Sequence, residues 1–106
     1  MNRKSVSLTA SENLRVALTL GNAVLVQLEG TGFTGTVDFK SSTDGVTWTN
    51  HPYVLHHNAA QTLSVAQITD PSTVTTYLIK PPVTGLRIDV VVAGGTLDVV
   101  YREVRL

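Results

Sequence analysis

The chain has 106 residues, enough for one domain with one core, and it contains no cysteine, which excludes disulfides and thiolate metal sites. Its eight basic and eight acidic residues cancel and are spread thinly along the chain. Binding to nucleic acid or to an anionic membrane would need clustered charge, so we expect neither partner. The basic start is followed by no apolar stretch, so we also expect no signal peptide, no membrane span and synthesis in the cytoplasm.

Alternating apolar and polar residues predict strands throughout the first half of the chain, where β-branched Val and Thr are frequent. The predicted strands here are residues 6–8, 14–18, 23–29 and 35–41. We expect the last two to form a hairpin across the glycine-rich segment 30–34. Pairing Leu28 with Val37 in that hairpin places both apolar side chains on one face of the sheet.

An Asp-Gly turn follows at residues 42–45, where the backbone needs a positive φ. The Asp44 side chain is expected to accept hydrogen bonds from nearby groups of the turn. This role explains Asp44 without making it a general base. The chain from residue 51 to residue 60 shows no regular pattern.

The second half contains two shorter predicted strands, 62–66 and 74–80, and then a C-terminal hairpin around Gly94 and Gly95. In this hairpin we expect Val92 to lie opposite Leu97 and Arg87 to lie opposite Arg102.

Two apolar residues, Val91 and Val100, would lie on the outer face of the C-terminal hairpin, where water favours polar side chains. One interpretation is that single exposed valines are ordinary in strands. The other is that this face contacts a second subunit or another surface.

About eight short strands, regularly spaced turns and no amphipathic helix predict an all-β fold, specifically an antiparallel β-sandwich that is jelly-roll-like. We expect residues 1–106 to form a single domain, with residues 1–5 as a flexible N-terminal arm. This arm carries Arg3 and Lys4 and would be suited to cross a partner protein or to add a strand to its sheet. The alternative is a frayed terminus.

Searching for catalytic or metal-binding residues leads to the three histidines, His51, His56 and His57. Adjacent residues of a strand point to opposite faces, and no carboxylate stands at a ligand-like spacing, so we expect no metal and no cofactor. The sequence also lacks a paired-carboxylate motif, a nucleophile elbow and a phosphate-binding glycine loop, so we expect no enzymatic activity.

The aromatic residues permit two interpretations. Exposed Trp48 or Tyr53 would provide a flat surface on which a sugar ring stacks, whereas core packing is the more common use of such rings. Tyr77 and Tyr101 raise the same question. Tyr101 fits the core, since it falls at an inward position of its strand, and a single tryptophan after a turn more often closes one end of a sandwich.

The run from Phe33 to Trp48 resembles a motif of small phage and prophage β-sandwich proteins, in which Gly-Thr-Val-x-Phe-x-x-Ser precedes Asp-Gly-x-x-Trp. The segment from Gly85 to Leu106 is similar to the closing strands of those proteins. The resemblance covers residues 23–50 and 85–106, and the segment 51–80 matches no known pattern.

This resemblance implies a bacteriophage structural protein of the capsid decoration, or cement, type. Such a protein is made in the host cytoplasm, binds the major capsid protein or other virion proteins on the capsid surface, and is often a homotrimer. The residues expected to contact partners are Arg3, Lys4, Tyr53, His56, His57, Val91 and Val100.

Two other functions stay open. The chain would also suit a carbohydrate-binding module that attaches a phage tail or fibre to its host, or a domain of a larger tail protein. The start at Met1 and the strand-like end at Leu106 favour a complete small gene product over the last of these.

Overall fold

The computed structural model describes residues 3–18, 21–56, 63–81, 83 and 85–105. These residues form eight antiparallel strands and no helix, which confirms the predicted all-β class. Accordingly, the described residues include no helix that could cross a membrane. The strands are β1 (Arg3–Leu8), β2 (Glu12–Ala17), β3 (Ala23–Ser41), β4 (Thr49–Asn50), β5 (Tyr53–Leu55), β6 (Ile68–Thr69), β7 (Thr75–Ile79) and β8 (Gly85–Val104).

Two long strands, β3 and β8, organise the fold. They pair antiparallel from Ala23 opposite Val104 to Ser41 opposite Leu86. A straight strand of the 20 residues in β8 would be about 65 Å long at the usual rise per residue. The longest dimension of the molecule is 34 Å, so both strands must bend sharply near their midpoints.

The bend lies where glycines of the two strands meet. The pairing shifts register between Thr31 and Gly35, and Gly95 of β8 has a φ of 73°. A Cβ atom on Gly95 would lie 2.2 Å from the carbonyl oxygen of Gly32. A Cβ on Gly35 would lie 2.0 Å from the carbonyl oxygen of Val91. The bent strands therefore approach so closely that these positions leave no room for a side chain.

The bend divides the sheet into two layers that enclose one core. The first layer contains β1, β5, β7 and the halves 23–31 of β3 and 96–104 of β8. The second contains β2, β4, β6 and the halves 34–41 and 85–92. Both layers contribute the largest fully buried side chains, which are Leu28, Ile79, Leu86, Ile88, Leu97, Val24, Val26, Val37, Val90 and Val99.

Both predicted hairpins are wrong. Leu28 lies opposite Val99 and not opposite Val37, while Leu97 lies opposite Gly30 and not opposite Val92. The glycines bend each strand without reversing it, so each half pairs with the other long strand. The predicted inward faces are nevertheless correct, because alternation determines which face a residue takes and not which strand lies beside it.

Three further expectations change. Arg3, Lys4 and Ser5 pair with β8 as part of β1, so the described part of the predicted flexible arm is a strand of the sheet. The predicted strand 62–66 is reduced to one bridge between Ser64 and Tyr53, with residue 62 outside the described residues. The jelly-roll arrangement is not confirmed, since β3 and β8 run through both layers.

Asp70 holds the segment before β7 against the bend through two hydrogen bonds with Gly35. Its backbone N–H donates to the carbonyl oxygen of Gly35 at 2.9 Å, and its carboxylate accepts from the Gly35 N–H at 2.8 Å. Asp70 has a φ of 48°, a left-handed conformation that Asp tolerates better than most residues. This reciprocal pair explains why residues 68–71 lie against β3.

Replacing Gly95 by Ala should destabilise the fold more than replacing Gly32. Both glycines have a positive φ, but a Cβ on Gly32 would meet no atom within 4 Å. We expect Gly32→Ala to cost about 1–2 kcal/mol from backbone strain. Gly95→Ala should cost about 2–5 kcal/mol, because the collision with the facing strand adds to the same strain. Urea unfolding of the two variants measures the difference, and equal losses would contradict the close approach at the bend.

Candidate partner-binding surfaces

The predicted Asp-Gly turn is confirmed, and it positions Trp48. The Asp44 carboxylate accepts hydrogen bonds from the backbone N–H groups of Val46 and Thr47, both at 2.8 Å, and from the Ser42 hydroxyl at 2.9 Å. The bonds from Thr47, Val46 and Ser42 stabilise the charged form and lower the pKa of Asp44 to about 2. The turn thus fixes the direction of the backbone just before Trp48.

Trp48 lies on the outer face of the second layer and not in the core. The guanidinium carbon of Arg15 is 5.4 Å from the centre of the Trp48 ring, and that of Arg87 is 4.8 Å from it. Arg15 and Arg87 are cross-strand neighbours on β2 and β8, so the ring lies beside these two strands. The ring is half-buried, and these two cation–π contacts hold it against the sheet.

An ion-pair network lies beside this ring. Arg87 binds Asp89 through Nε at 2.6 Å and through Nη2 at 2.9 Å, and Nζ of Lys40 is 3.5 Å from the same carboxylate. The Asp89 side chain is 13% exposed, so water screens this network less than it screens a surface pair. We call the outward-facing set of Arg15, Lys40, Trp48, Arg87 and Asp89 the Trp48 face.

Sequence reasoning missed this face because the hairpin prediction gave Arg87 the wrong neighbour. Arg87 lies between Arg15 and Lys40, and Arg102 lies on the other layer. The i, i+2 spacing of Arg87 and Asp89 was the available signal, since residues two apart share one face of a strand.

The outer face of the first layer carries a second surface. Arg3 and Arg102 lie directly opposite each other there, and Leu25 is the next residue across from Arg102. Neither arginine forms an ion pair within the described part of the chain. We call this surface the Arg3 face; a shallow hollow in it is lined by Arg3, Leu25, Gln27, Thr76, Val100, Tyr101 and Arg102.

The Arg3 face brings together two of the predicted contact residues, Arg3 and Val100, and separates them from the others. Lys4 lies next to Arg3 in β1 but alternates to the opposite side of the strand. Val91 is 55% exposed and lies in the second layer, opposite Thr36, so it does not share a face with Val100.

The predicted histidine contacts lie elsewhere. His56 is exposed just after β5, where its backbone N–H donates to the Thr76 carbonyl oxygen at 2.9 Å. His57 lies outside the described residues.

Tyr53 is a core residue, which corrects its predicted place on a contact surface. It is only 8% exposed, its ring packs edge-on against Phe39 and Tyr77, and its hydroxyl donates to the Ala66 carbonyl oxygen at 2.7 Å. The same burial raises the pKa of Tyr77, and Tyr53 beside it adds to that effect. Neither ring is therefore available for a sugar to stack on.

His51 links three segments of the sheet through the hydrogen bonds of its ring. Its Nε2 lies 2.7 Å from the Lys80 carbonyl oxygen, which can only accept, so Nε2 carries a proton. In the neutral ring Nδ1 then accepts from the Ser41 hydroxyl, 2.8 Å away. These bonds connect the segment between β4 and β5 to the end of β3 and to the residue after β7. Among the described residues no group of three or more His, Asp or Glu side chains could hold a metal ion.

Comparison with known proteins gives a structural match. The crystal structure of the SPBc2 prophage-derived protein YomS superposes with a TM-score of 0.67 over 95% of this chain and 93% of that chain. The two sequences are 10% identical. The two proteins share a fold. No protein-family model matches the chain, and the search of curated proteins finds no match.

The stability contributed by Asp44 should depend on pH with a defined sign. Its pKa is lowered in the folded state from 3.8 to about 2, so the contribution is complete above pH 3.8 and is lost as the pH falls through about 2. Asp44→Ala should therefore lower the urea midpoint at pH 7, and the gap to the unaltered protein should narrow between pH 4 and pH 2.

Asp44→Asn is the matched control for this prediction, because the amide keeps an acceptor oxygen and removes only the charge. Its midpoint should lie between the other two at pH 7. If the difference in urea midpoint between Asp44→Ala and the unaltered protein stays constant down to pH 2, the Asp44 charge does not stabilise the turn.

Proposed function

We propose that this chain is a non-enzymatic structural protein of a phage virion, a capsid decoration protein that binds the outer capsid surface and stabilises the shell. The observation that carries the proposal is the fold shared with a prophage-derived protein over nearly the whole length of both chains. That likeness establishes a fold, and a fold alone does not determine a function. Two features of this chain add support.

The first feature is the motif that resembles small phage β-sandwich proteins, because its residues hold central positions here. Gly35 lies at the bend of β3, and Asp44 closes the turn that precedes Trp48. The motif therefore specifies the geometry of the second layer and not a catalytic group.

The second feature is the Arg3 face. Two adjacent guanidinium groups without carboxylate partners in the described chain repel each other, and an acidic group on another protein would relieve that repulsion. Leu25 and Val100 beside them are partly exposed, and a partner that covers them would remove their apolar surface from water. This surface suits an acidic and apolar patch on the major capsid protein.

A decoration protein needs no strong individual contact. A homotrimer that places three Arg3 faces on a symmetric capsid site binds with an avidity far above the affinity of one contact. This arrangement also explains how a chain of 106 residues with weak surface features would stabilise a shell.

A carbohydrate-binding module of a phage tail or fibre is the second candidate function. The half-buried Trp48 on an outer face favours it, whereas the buried Tyr53 does not.

Replacing both Arg3 and Arg102 by Gln should strongly weaken capsid binding. We expect the unaltered protein to be a trimer by light scattering and to pellet with capsids of the phage that carries its gene. The double variant should pellet at least about tenfold less, because it loses two charge-assisted contacts. Added salt should weaken binding of the unaltered protein, since exposed charges are screened.

Arg15→Gln is the control, because it removes one charge from the opposite face and should pellet normally. A monomer that never pellets would overturn the decoration role. A double variant that pellets as well as the unaltered protein would overturn the assignment of the contact to the Arg3 face.

A further inference from the structure

The outer face of the first layer carries two pairs of like charges, one at each end. Arg3 and Arg102 lie directly opposite each other at one end. At the other end Asp98 of β8 lies directly opposite Glu29 of β3. Residues four apart in a strand share a face and lie about 13 Å apart, so Asp98 points outward with Arg102. Because opposed like charges repel, each pair destabilises the isolated chain.

The two arginines keep their positive charge within the described part of the chain. Neither forms an ion pair with any described residue. Glu103, the carboxylate nearest to Arg102 in the sequence, alternates to the other side of β8 and accepts a hydrogen bond from the Gly21 backbone N–H at 3.1 Å. This end of the face therefore stays positive.

The two carboxylates keep their negative charge in the same way. Glu29 is exposed and forms no ion pair with any described residue. Asp98 accepts a hydrogen bond from the Ser7 hydroxyl at 2.6 Å, which orients the carboxylate without neutralising it. This end of the face therefore stays negative.

An uncharged row separates the two ends. It crosses four strands through the cross-strand neighbours Ser5, Val100, Gln27 and Thr76. This row holds no charge that would oppose a contact. Val100 is partly exposed, so covering it would also remove apolar surface from water.

Opposite charges at opposite ends make the face complementary to itself. A two-fold axis that lies between two such faces, close to the uncharged row, places the arginine end of each copy over the acidic end of the other. Sheets pack face to face at about 10 Å, a gap that an arginine and a carboxylate side chain bridge together. Guanidinium and carboxylate groups then form charge-assisted hydrogen bonds, and the repulsion within each pair is relieved.

We propose that the outer face of the first layer binds the same face of a second copy of this chain. The face measures about 14 Å across its four strands and about 14 Å along them, which is smaller than a stable interface. Pairing is therefore reversible and needs a high protein concentration. The pairing stands without the proposed function; if both hold, the paired copies are the free form, and the capsid replaces the second copy on the Arg3 face.

Sedimentation velocity at low salt tests this pairing, which doubles the mass of the species that carries the face, whether that species is one chain or a trimer. The mass of the unaltered protein should rise towards twice its dilute value as the concentration increases, and about 0.5 M NaCl should reverse the rise. Glu29→Lys should hold the mass at the dilute value. Glu12→Lys is the matched control, because Glu12 is an exposed glutamate of β2 in the second layer, and this variant should pair normally.

A charge swap tests the complementarity itself. The double variant Arg3→Glu/Arg102→Glu makes both ends of the face acidic, and Glu29→Lys/Asp98→Lys makes both ends basic. Each double variant should stay unpaired alone, because every contact across the two-fold axis would then join like charges. An equimolar mixture of the two should associate, since the opposite charges now lie on different copies. Thermal unfolding shows whether each variant is folded.

Two results would overturn the proposal directly: a mass that stays at the dilute value at millimolar concentration, or a mixture of the double variants that does not associate. A threefold ratio between the masses of the unaltered protein and Glu29→Lys would also overturn it, because three copies would then meet through this face. Glu29→Lys keeps both arginines and should still pellet with capsids, so a failure of pairing and a failure of the decoration role are distinguishable.

Discussion

The full-length antiparallel pairing of β3 with β8 is the constraint on which the rest of the structure depends. Because each strand passes through both layers, the layers are joined by continuous hydrogen-bonded backbone and not only by packed side chains. The glycines at the bend allow that continuity, since Gly35 and Gly95 lie where the facing backbone leaves no space for a Cβ atom. The shorter strands then attach to the two halves of this ribbon and close the core. The outer faces of the layers consequently point in opposite directions, which separates the Arg3 face from the Trp48 face.

Local features of this fold could be predicted from the sequence, and non-local ones could not. The alternation of apolar residues correctly placed Leu28, Val37 and Val99 in the core, and the Asp44 turn followed from its own four residues. The predicted pairing partners of β3 and β8 were wrong, because two hairpins and two long bent strands have the same pattern of apolar residues and glycines. The choice between them depends on how the two segments fit each other, which no single segment encodes.

The candidate surfaces show the same division. Arg3 and Val100 were both expected to contact a partner, but their common surface depends on the pairing of the first strand with the last. Tyr53 and Trp48 were interchangeable as aromatic candidates in the sequence. The structure separates them, because Tyr53 completes a cluster with Phe39 and Tyr77 while Trp48 packs on two arginines outside the core. The position of Trp48 depends on the cross-strand pairing of Arg87 with Arg15, and these two arginines lie far apart in the sequence.

Which of the two outer faces contacts the capsid is most directly tested by electron cryomicroscopy of capsids carrying the bound protein. If the proposal is correct, the density places Arg3 and Arg102 against the major capsid protein and leaves Trp48 on the solvent side. A reconstruction in which the Trp48 face is buried against the shell, or in which no density for the protein is found on the shell, would contradict it.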